Sequence, residues 1–176
     1  MDEIAMDGRD LVVSSNGGDW RVGWYPPPHP PPGTPHGAAA VCVNGDRVVL
    51  VSSDGQRWGL PGGRPEQGER WADTLRREVA EEACAVVERA RLLGFTRGLC
   101  VRGPEKGLAL VRSMWLAEVR LERWAPRFEI THRRLVLADE ALRSVTIAEP
   151  SVGPIYRRMF VEARIPSADQ GDRPDR

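Results

Sequence analysis

Residues 62–87 read GGRPEQGERWADTLRREVAEEACAVV. A pair of glycines opens this stretch, and its second half has the spacing of an amphipathic helix. At about 3.6 residues per turn, the apolar residues fall on one arc that would face the core: Ala72, Leu75, Val79 and Ala83. We therefore predict a helix from Trp71 to Ala83, entered through a glycine-rich turn.

Three carboxylates lie on one face of the predicted helix. Glu78, Glu81 and Glu82 occupy positions i, i+3 and i+4, which are neighbours on a helical surface. Like charges at this spacing repel each other, so the group costs stability unless a cation binds between them. Hard oxygen ligands without a competing Cys or His suit Mg²⁺, with Mn²⁺ as the second candidate. The pattern therefore indicates a divalent metal site at the edge of the core.

The composition is that of one globular domain with some spare length. The chain has 176 residues, of which 41% are hydrophobic and 28% are charged, and its formal net charge is zero. A neutral chain gives no basic field and therefore no signal for nucleic-acid binding. No run approaches the length of a membrane span, and the acidic N-terminus lacks the pattern of a signal peptide. With three widely spaced cysteines, the sequence leads us to expect a cytoplasmic protein.

The N-terminal part, residues 1–35, is expected to lie outside the main domain. We expect residues 1–10 to be frayed and the next segment to form a two-stranded ribbon around a glycine turn. In the second strand of this ribbon, alternation places Trp20, Val22 and Trp24 on one face. That face either packs on the core, which is the plainer interpretation, or contributes to a substrate pocket or a dimer contact.

A proline-rich arm, residues 26–35, ends this N-terminal part. Proline at this density favours polyproline II and excludes a helix or a central strand. We expect the arm to be a stiff cover or linker. The alternative is a ligand for a proline-reading partner, which would make the protein an adaptor.

The rest of the chain predicts a mixture of strands and short helices. Apolar, β-branched runs between turns indicate strands, and helical spacing returns near the C-terminus. The predicted strands are Ala38–Val43, Arg47–Ser52, Arg91–Val101, Leu108–Leu121 and Arg134–Val136, and the predicted helical segments are Ala138–Leu142 and Pro150–Ala163. Residues 166–176 form a polar tail that we expect to be disordered.

The glycine and the charged residues of the opening stretch occur at fixed offsets. Five residues separate Gly63 from Glu69, seven separate Glu69 from Arg77-Glu78-Val79, and one more precedes Glu81-Glu82. This pattern resembles the signature box of the Nudix hydrolases. The resemblance covers 23 residues, Gly63–Ala85, and a chance match at this many fixed offsets is rare.

The box begins as in that family and departs from it at the end. The segment from Trp58 to Gly63 resembles the lead-in that the family has. The family then closes the box with a glycine and an aliphatic residue, where this chain has Cys84 and Ala85. That glycine usually ends the helix in a left-handed conformation, so a cysteine there costs about 1 kcal/mol unless the helix ends in another way. All the acidic positions are present, so no metal ligand is lost.

The resemblance implies an α/β fold over residues 36–165. The expected architecture is an α/β/α sandwich with a mixed β-sheet, in which the box forms a strand–loop–helix–loop unit. The implied reaction is Mg²⁺-dependent hydrolysis of a diphosphate linkage in a small substrate, a nucleotide or a nucleoside diphosphate derivative; a homodimer is compatible with it. Attack on phosphorus requires charge neutralisation, an oriented water and a base, and three clustered glutamates suit the first of these needs.

A catalytically silent, Nudix-like module that binds a nucleotide for regulation is the alternative function. Such a module, freed from catalysis, has no need of three mutually repelling acids. The presence of Glu78, Glu81 and Glu82 therefore favours the enzyme.

The resemblance assigns roles to the residues of the box. The implied metal ligands are Glu78, Glu81, Glu82 and the carbonyl group of Gly63. Arg77 is expected to orient these carboxylates through a contact with Glu69, and Gly62 supports the turn. The base that activates water is either Glu78 or, as in some relatives, a glutamate in a later loop.

Glu129 is the candidate for that later glutamate. It lies in the predicted loop Trp124–His132, directly before two arginines. A solvated acid on a loop is the plain alternative. Glu118 is a weaker candidate because it lies inside a predicted strand.

Arginines and tryptophans outside the box are candidates for substrate binding. Six arginines after the box could reach phosphates: Arg97, Arg102, Arg112, Arg127, Arg133 and Arg134. Of these, Arg97, Arg133 and Arg134 are the candidates for substrate binding. Arginine binds phosphate through a bidentate fork, although a surface role is the default for any one of them. Trp58 is the selected candidate for stacking on a base, with Trp124 beside it, whereas Trp115 suits the core.

Overall fold

The structure is a computed structural model that describes residues 3–165. The tail that we expect to be disordered, residues 166–176, lies outside these residues. The described part forms one mixed sheet with helices on both faces.

Eight strands form the sheet within residues 3–165. In chain order they are β1 (Leu11–Ser15), β2 (Gly18–Tyr25), β3 (Thr34–Asn44), β4 (Arg47–Ser52), β5 (Gly62–Gly63), β6 (Ala85–Arg102), β7 (Ala109–Leu121) and β8 (His132–Val136). Their order across the sheet is β1-β2-β6-β7-β3-β4-β8, and the short β5 pairs with β3. β3 and β7 run parallel, whereas the other neighbouring pairs are antiparallel. The mixed sheet expected from the sequence is therefore confirmed.

Helices cover both faces of this sheet. They are α1 (Trp71–Ala83), α2 (Ala138–Ala148) and α3 (Gly153–Ala163), and a 3₁₀ turn at Pro150–Val152 joins the last two. α1 packs Leu75 and Val79 in a cluster that includes Ala40, while Met159 of α3 lies in a second cluster with Val41. Because successive side chains of a strand point to opposite faces, Ala40 and Val41 serve different layers. The result is the expected α/β/α sandwich.

α1 has the predicted bounds, but α2 is longer than predicted. The sequence indicates a short turn at Ala138–Leu142, and the helix continues through Ala148. The extension contains β-branched residues, which lower helix propensity. Val145, which is fully buried in this extension, packs with the cluster between α2, α3 and the sheet. Burial of this face therefore outweighs the local propensity.

The N-terminal ribbon continues the main sheet. β2 pairs with β6 from Asp19 to Tyr25, and Trp24 is 1% exposed beneath α3. The expectation that residues 1–10 are frayed is wrong for the described part. Ala5 is buried and its N–H donates to the carbonyl of Pro154 over 3.0 Å, because the segment lies along α3.

The proline-rich arm bridges the gap between β2 and β3. β2 pairs with β6 and β3 pairs with β7, so the connection must pass the ends of two strands. Pro31 is buried there, and Arg97 of β6 donates to the carbonyl of Pro32 over 2.8 Å. Among the helices of residues 3–165, none is long and apolar enough to cross a membrane.

Candidate active site

The glycine pair of β5 lies directly against the carboxylates of α1. Gly62 donates its N–H to Oε2 of Glu82 over 2.9 Å. A Cβ atom on Gly63 would overlap the carboxylate of Glu78, and one on Gly62 would overlap the backbone of Ala38. Side chains are therefore excluded at both positions, and the main chain of β5 can approach the face of α1 that carries the acids.

Arg77 links the acidic residues of the box. Its guanidinium donates to both carboxylate oxygens of Glu69, over 2.7 and 3.0 Å, in a bidentate pair. The same group donates to Glu78 over 2.9 Å and to Glu81 over 3.3 Å. The predicted contact between Arg77 and Glu69 is present, and the guanidinium also joins two candidate metal ligands.

Glu69 is held from several directions in addition to Arg77. Its Oε2 atom accepts hydrogen bonds from the Thr74 hydroxyl and from the N–H of Glu66, each over 2.9 Å. The hydrogen bonds from Arg77 and then from Glu66 lower the pKa of Glu69 to about 2. Glu69 is therefore ionised throughout the neutral range and anchors Arg77 as a fixed negative charge.

The two carboxylates nearest the glycine pair have raised pKa values. Burial is the main cause for both: it raises the pKa of Glu78, against the opposing effect of Arg77, and it raises the pKa of Glu82 to about 7. The negative charges of neighbouring glutamates add to the effect, while the Gly62 N–H opposes it at Glu82. Folding therefore disfavours the charged forms of Glu78 and Glu82, a cost that a bound cation would offset.

The loop between β7 and β8 brings Glu129 near these carboxylates. Glu129 is exposed, and its charge contributes to the raised pKa values of Glu78 and Glu82. Glu118 of β7 faces Arg89 on the neighbouring strand at 4.0 Å. Of the two acids considered as the base outside the box, Glu129 lies near the box carboxylates, whereas Glu118 faces Arg89.

The donor set fits a hard divalent cation. Three carboxylates and a backbone carbonyl supply only oxygen atoms, and burial disfavours the charged forms of two of the acids. Within the described chain, no three acidic, His or Cys side chains are already arranged around one point that could hold an ion. Arg77 donates to Glu78 and Glu81, and Gly62 donates to Glu82.

The end of α1 shows how the cysteine in the box is accommodated. Cys84 adopts the left-handed conformation, with φ 46° and ψ 56°, as a glycine would. Arg133 of β8 donates to the carbonyl of Ala83 over 2.7 Å and to that of Cys84 over 3.1 Å. It also donates to the carbonyl of Glu122, and its guanidinium lies 5.0 Å from the ring centre of Trp124.

This arrangement gives Arg133 a structural role, and the substrate role expected for it stays a prediction. Its guanidinium is committed to backbone carbonyls at the end of α1 and the start of the β7–β8 loop. A cation at a helix C-terminus also interacts favourably with the helix dipole. Arg133 therefore supports the left-handed turn at Cys84 that ends the box, and its guanidinium is occupied by these contacts.

The other selected substrate residues lie away from the carboxylates. The guanidinium of Arg134 lies 4.2 Å from the ring centre of Trp58 and donates to Ser144 of α2 over 2.7 Å. These contacts pack the β4–β5 connection against α2, on the sheet face opposite α1. Arg97 donates to Pro32 and so fastens the arm. The structure gives each of these residues a packing role in place of the expected contact with substrate.

A cavity of about 320 Å³ lies on the face of the sheet opposite α1. Its apolar wall includes Trp20 and Val22 of the ribbon, with Leu110, Met114 and Ile155 from β7 and α3. Its polar lining includes His36, Arg112, Glu149 and Tyr156. Trp24 packs on the core, as the plainer interpretation of the ribbon expects, whereas Trp20 and Val22 line this cavity. A contribution of the ribbon to a substrate pocket or a dimer contact stays a prediction.

The cavity adjoins the glycine pair at Gly37. A Cβ atom on Gly37 would lie 3.0 Å from the carbonyl oxygen of Gly63 and 3.5 Å from Cγ of Arg112. The carbonyl that is a candidate metal ligand and the arginine that lines the cavity therefore both lie next to Gly37.

Most residues of this cavity were not predicted as site residues. Among its polar lining, His36, Glu149 and Tyr156 are distant in the sequence and belong to no motif. The alternation in the ribbon was the one signal that pointed to the cavity, because it placed aromatic side chains on one face.

Comparison with known proteins decides the family. A family model described as the NUDIX domain matches residues 34–158. This chain belongs to the Nudix family. Nudix hydrolases generally use divalent metal ions and act on small nucleotide substrates. No protein with a curated description matches the sequence.

Solved Nudix structures share the fold of this Nudix protein. The Bacillus subtilis pyrophosphohydrolase BsRppH is 25% identical, with a TM-score of 0.65 over 84% of this chain and 94% of that one. A Nudix hydrolase from Nitrosomonas europaea is 18% identical, with a TM-score of 0.58 over 80% of this chain and 98% of that one. The mutator protein MutT from Bacillus halodurans is 21% identical, with a TM-score of 0.54 over 74% and 84% of the two chains. The last two comparisons show the fold alone.

Proposed function

We propose that this Nudix protein is a pyrophosphohydrolase that cleaves a diphosphate linkage in a nucleotide or a nucleoside diphosphate derivative. Mg²⁺ is the proposed ion, with Mn²⁺ as a substitute, and the cytoplasm is the proposed location. One observation carries the proposal: Glu78 and Glu82 of α1 lie against the glycine pair, next to Glu81 on the same helix, and burial raises the pKa of both. Likeness to BsRppH, a pyrophosphohydrolase, supports the reaction class.

The residues that would hold the ion are Glu78, Glu81, Glu82 and the carbonyl of Gly63. A bound divalent ion neutralises charge on the phosphate oxygens and lowers the pKa of a bound water. Arg77 keeps the carboxylates in place and is itself held by Glu69, which stays ionised. Glu69 therefore acts on the site through Arg77, as a positioning residue.

Glu129 is the proposed base. Glu78 is half enclosed by Gly63 and Arg77, so its oxygens are committed to the metal site. Glu129 is exposed on a loop and, within residues 3–165, its carboxylate makes no side-chain hydrogen bond, yet its charge reaches Glu78 and Glu82. A general base of this kind contributes about 10²- to 10⁴-fold to the rate.

The test is a panel of nucleoside triphosphates, nucleoside diphosphate sugars and ADP-ribose with Mg²⁺, scored for released monophosphate, phosphate or pyrophosphate. Glu82→Gln should lower kcat by a factor on the order of 100 with the fold retained, because a metal ligand is lost. Glu118→Gln is the matched control and should leave the rate unchanged. If no member is cleaved and one binds tightly without metal, the protein is a silent nucleotide-binding module.

A further inference from the structure

We propose that the cavity between the N-terminal ribbon and α3 binds a guanine base, and that Glu149 selects it. The proposal rests on the proposed function, since the phosphates of the same ligand would lie at the carboxylates of α1. The ribbon precedes residues 34–158, the part that the family model matches. The base site is therefore built partly by a segment outside that domain.

The size and lining of the cavity suit a flat ring. About 320 Å³ is at the lower end of the range of small-molecule pockets. Trp20 offers an aromatic wall, and Val22, Met114 and Ile155 exclude water around it. Aromatic and aliphatic walls of this kind favour a stacked, planar group over a flexible sugar.

The entrance of the cavity is cationic on the side of the glycine pair. Arg112 is exposed there, and within residues 3–165 it makes no side-chain hydrogen bond or ion pair. Arg112 and Arg64 lie near enough to His36 for their charges to lower its pKa, in addition to the effect of burial. Of these groups, Arg112 lies beside Gly37, whose Cβ position is also 3.0 Å from the carbonyl oxygen of Gly63. Arg112 therefore suits a phosphate that joins the base to the metal site.

Glu149 lies on the α3 side of the cavity and is held by a hydrogen bond. The hydroxyl of Tyr156 donates to Oε2 of Glu149 over 2.9 Å. Burial of Tyr156 raises the pKa of its hydroxyl, so the hydroxyl stays protonated and remains a donor. The carboxylate therefore keeps its orientation, with acceptor sites left on both oxygens.

A fixed carboxylate discriminates among the bases by their donors. Guanine presents two N–H donors side by side, the N1–H and the exocyclic amino group, which match the two oxygens of a carboxylate. Adenine and cytosine present a donor beside an acceptor, so one carboxylate oxygen would face a lone pair. Uracil presents one N–H between two carbonyls. A carboxylate in this position therefore prefers guanine, by about 10- to 100-fold.

The test compares GTP with ATP, CTP and UTP as substrates of the full chain, in Mg²⁺. We expect GTP to have the highest kcat/KM. Glu149→Gln should remove about 10-fold or more of this preference, since an amide offers one acceptor and one donor group. The loss should fall on GTP through KM, with the rate for ATP retained. Val12→Ala is the matched control, because Val12 lies in the same ribbon but is 73% exposed.

Binding provides a readout that does not depend on turnover. GMP and AMP are titrated into the protein by calorimetry, and GMP should bind about 10-fold more tightly, a difference that Glu149→Gln should remove. Trp20→Leu should weaken both nucleotides. If triphosphates are cleaved without a base preference and Glu149→Gln changes nothing, the inference fails while the hydrolase stands. If no nucleotide is cleaved but GMP binds with this dependence on Glu149, the inference stands and the hydrolase fails.

Discussion

Arg133 donates a hydrogen bond of 2.7 Å from Nη1 to the carbonyl oxygen of Ala83, the last residue of α1. The carbonyls at a helix C-terminus have no partner within the helix, so an external donor is needed. The same nitrogen reaches the carbonyl of Cys84, and both terminal nitrogens reach that of Glu122. β8 thereby holds the end of the helix that carries the candidate metal ligands.

Arg133→Ala should lower the free energy of unfolding by about 2–3 kcal/mol, because it removes the side-chain donor to the carbonyls of Ala83 and Glu122, whereas that of Cys84 keeps the N–H of Glu122. Urea denaturation measures this change. Arg133→Lys should recover part of the loss, since an ammonium keeps the charge but cannot serve three carbonyls in the same geometry. Arg89→Ala is the control: Arg89 is exposed and its contact with Glu118 is 4.0 Å long, so the change should stay within about 0.5 kcal/mol.

Cys84→Gly should stabilise the protein by about 1 kcal/mol, because it relieves the left-handed strain at φ 46°. The gain is limited by the greater freedom of glycine in the unfolded chain. Thermal and urea unfolding both report it. Ala80→Gly, at an exposed position in the middle of the same helix, should have the opposite sign and a similar size. If Cys84→Gly is less stable than the parent protein, the left-handed conformation of Cys84 is not a source of strain.

The metal-free protein should lose stability as the pH rises from 5 to 8. The pKa of Glu82 is about 7 in the folded chain against an ordinary value of 4.5, so folding favours the protonated form. Its contribution is fully present below pH 4.5 and is lost as the pH rises through 7. At pH 8 the loss amounts to roughly 3 kcal/mol at most.

Glu82→Gln should flatten this dependence and be more stable than the parent at pH 8 in EDTA. Mg²⁺ should act in the reverse sense, because it binds the ionised carboxylates and so raises Tm more at pH 8 than at pH 6. Glu122→Gln serves as the control, since Glu122 is exposed and lies outside the carboxylate cluster. If stability falls with pH as steeply in Glu82→Gln as in the parent protein, Glu82 is not the cause of the pH dependence.

Arg77→Lys should lower kcat by about 10- to 100-fold and raise the Mg²⁺ concentration needed for half-maximal activity. The reason is that a lysine cannot bridge both oxygens of Glu69 and also reach Glu78. Glu69→Gln should have a similar effect through Arg77, so the double variant should be little worse than either single one. Steady-state rates at several Mg²⁺ concentrations measure this. Arg76→Lys, on the exposed side of the same helix, should leave kcat unchanged. If the losses of kcat in the two single variants add up in the double variant, Glu69 does not act through Arg77.

The sequence predicts the box helix well because the features that define it are local. Apolar spacing, the three acids and the glycine pair all lie within residues 62–87, and the helix has the predicted bounds. The bulk of the sheet follows from apolar runs and turns. Local propensity is misleading at α2, where burial of Val145 extends a helix that its β-branched residues disfavour.

The cavity and the closure of α1 could not be predicted in the same way. Glu149 and Trp20 approach one cavity only because β2 joins the sheet beside β6 and α3 returns over that face. Arg133 differs from other arginines only by its position on β8 relative to the end of α1. Such roles arise from tertiary contacts between distant segments, and no periodic pattern in the sequence predicts them.

The two faces of the sheet carry different parts of the candidate site. The carboxylates belong to α1, whereas the ribbon contributes Trp20 and Val22 to the opposite face, and Gly37 is where the two regions meet. Substitution in the ribbon can therefore accumulate without disturbing the helix that performs the chemistry. An engineer could therefore exchange the ribbon between relatives to change what the cavity binds while leaving the carboxylates of α1 in place.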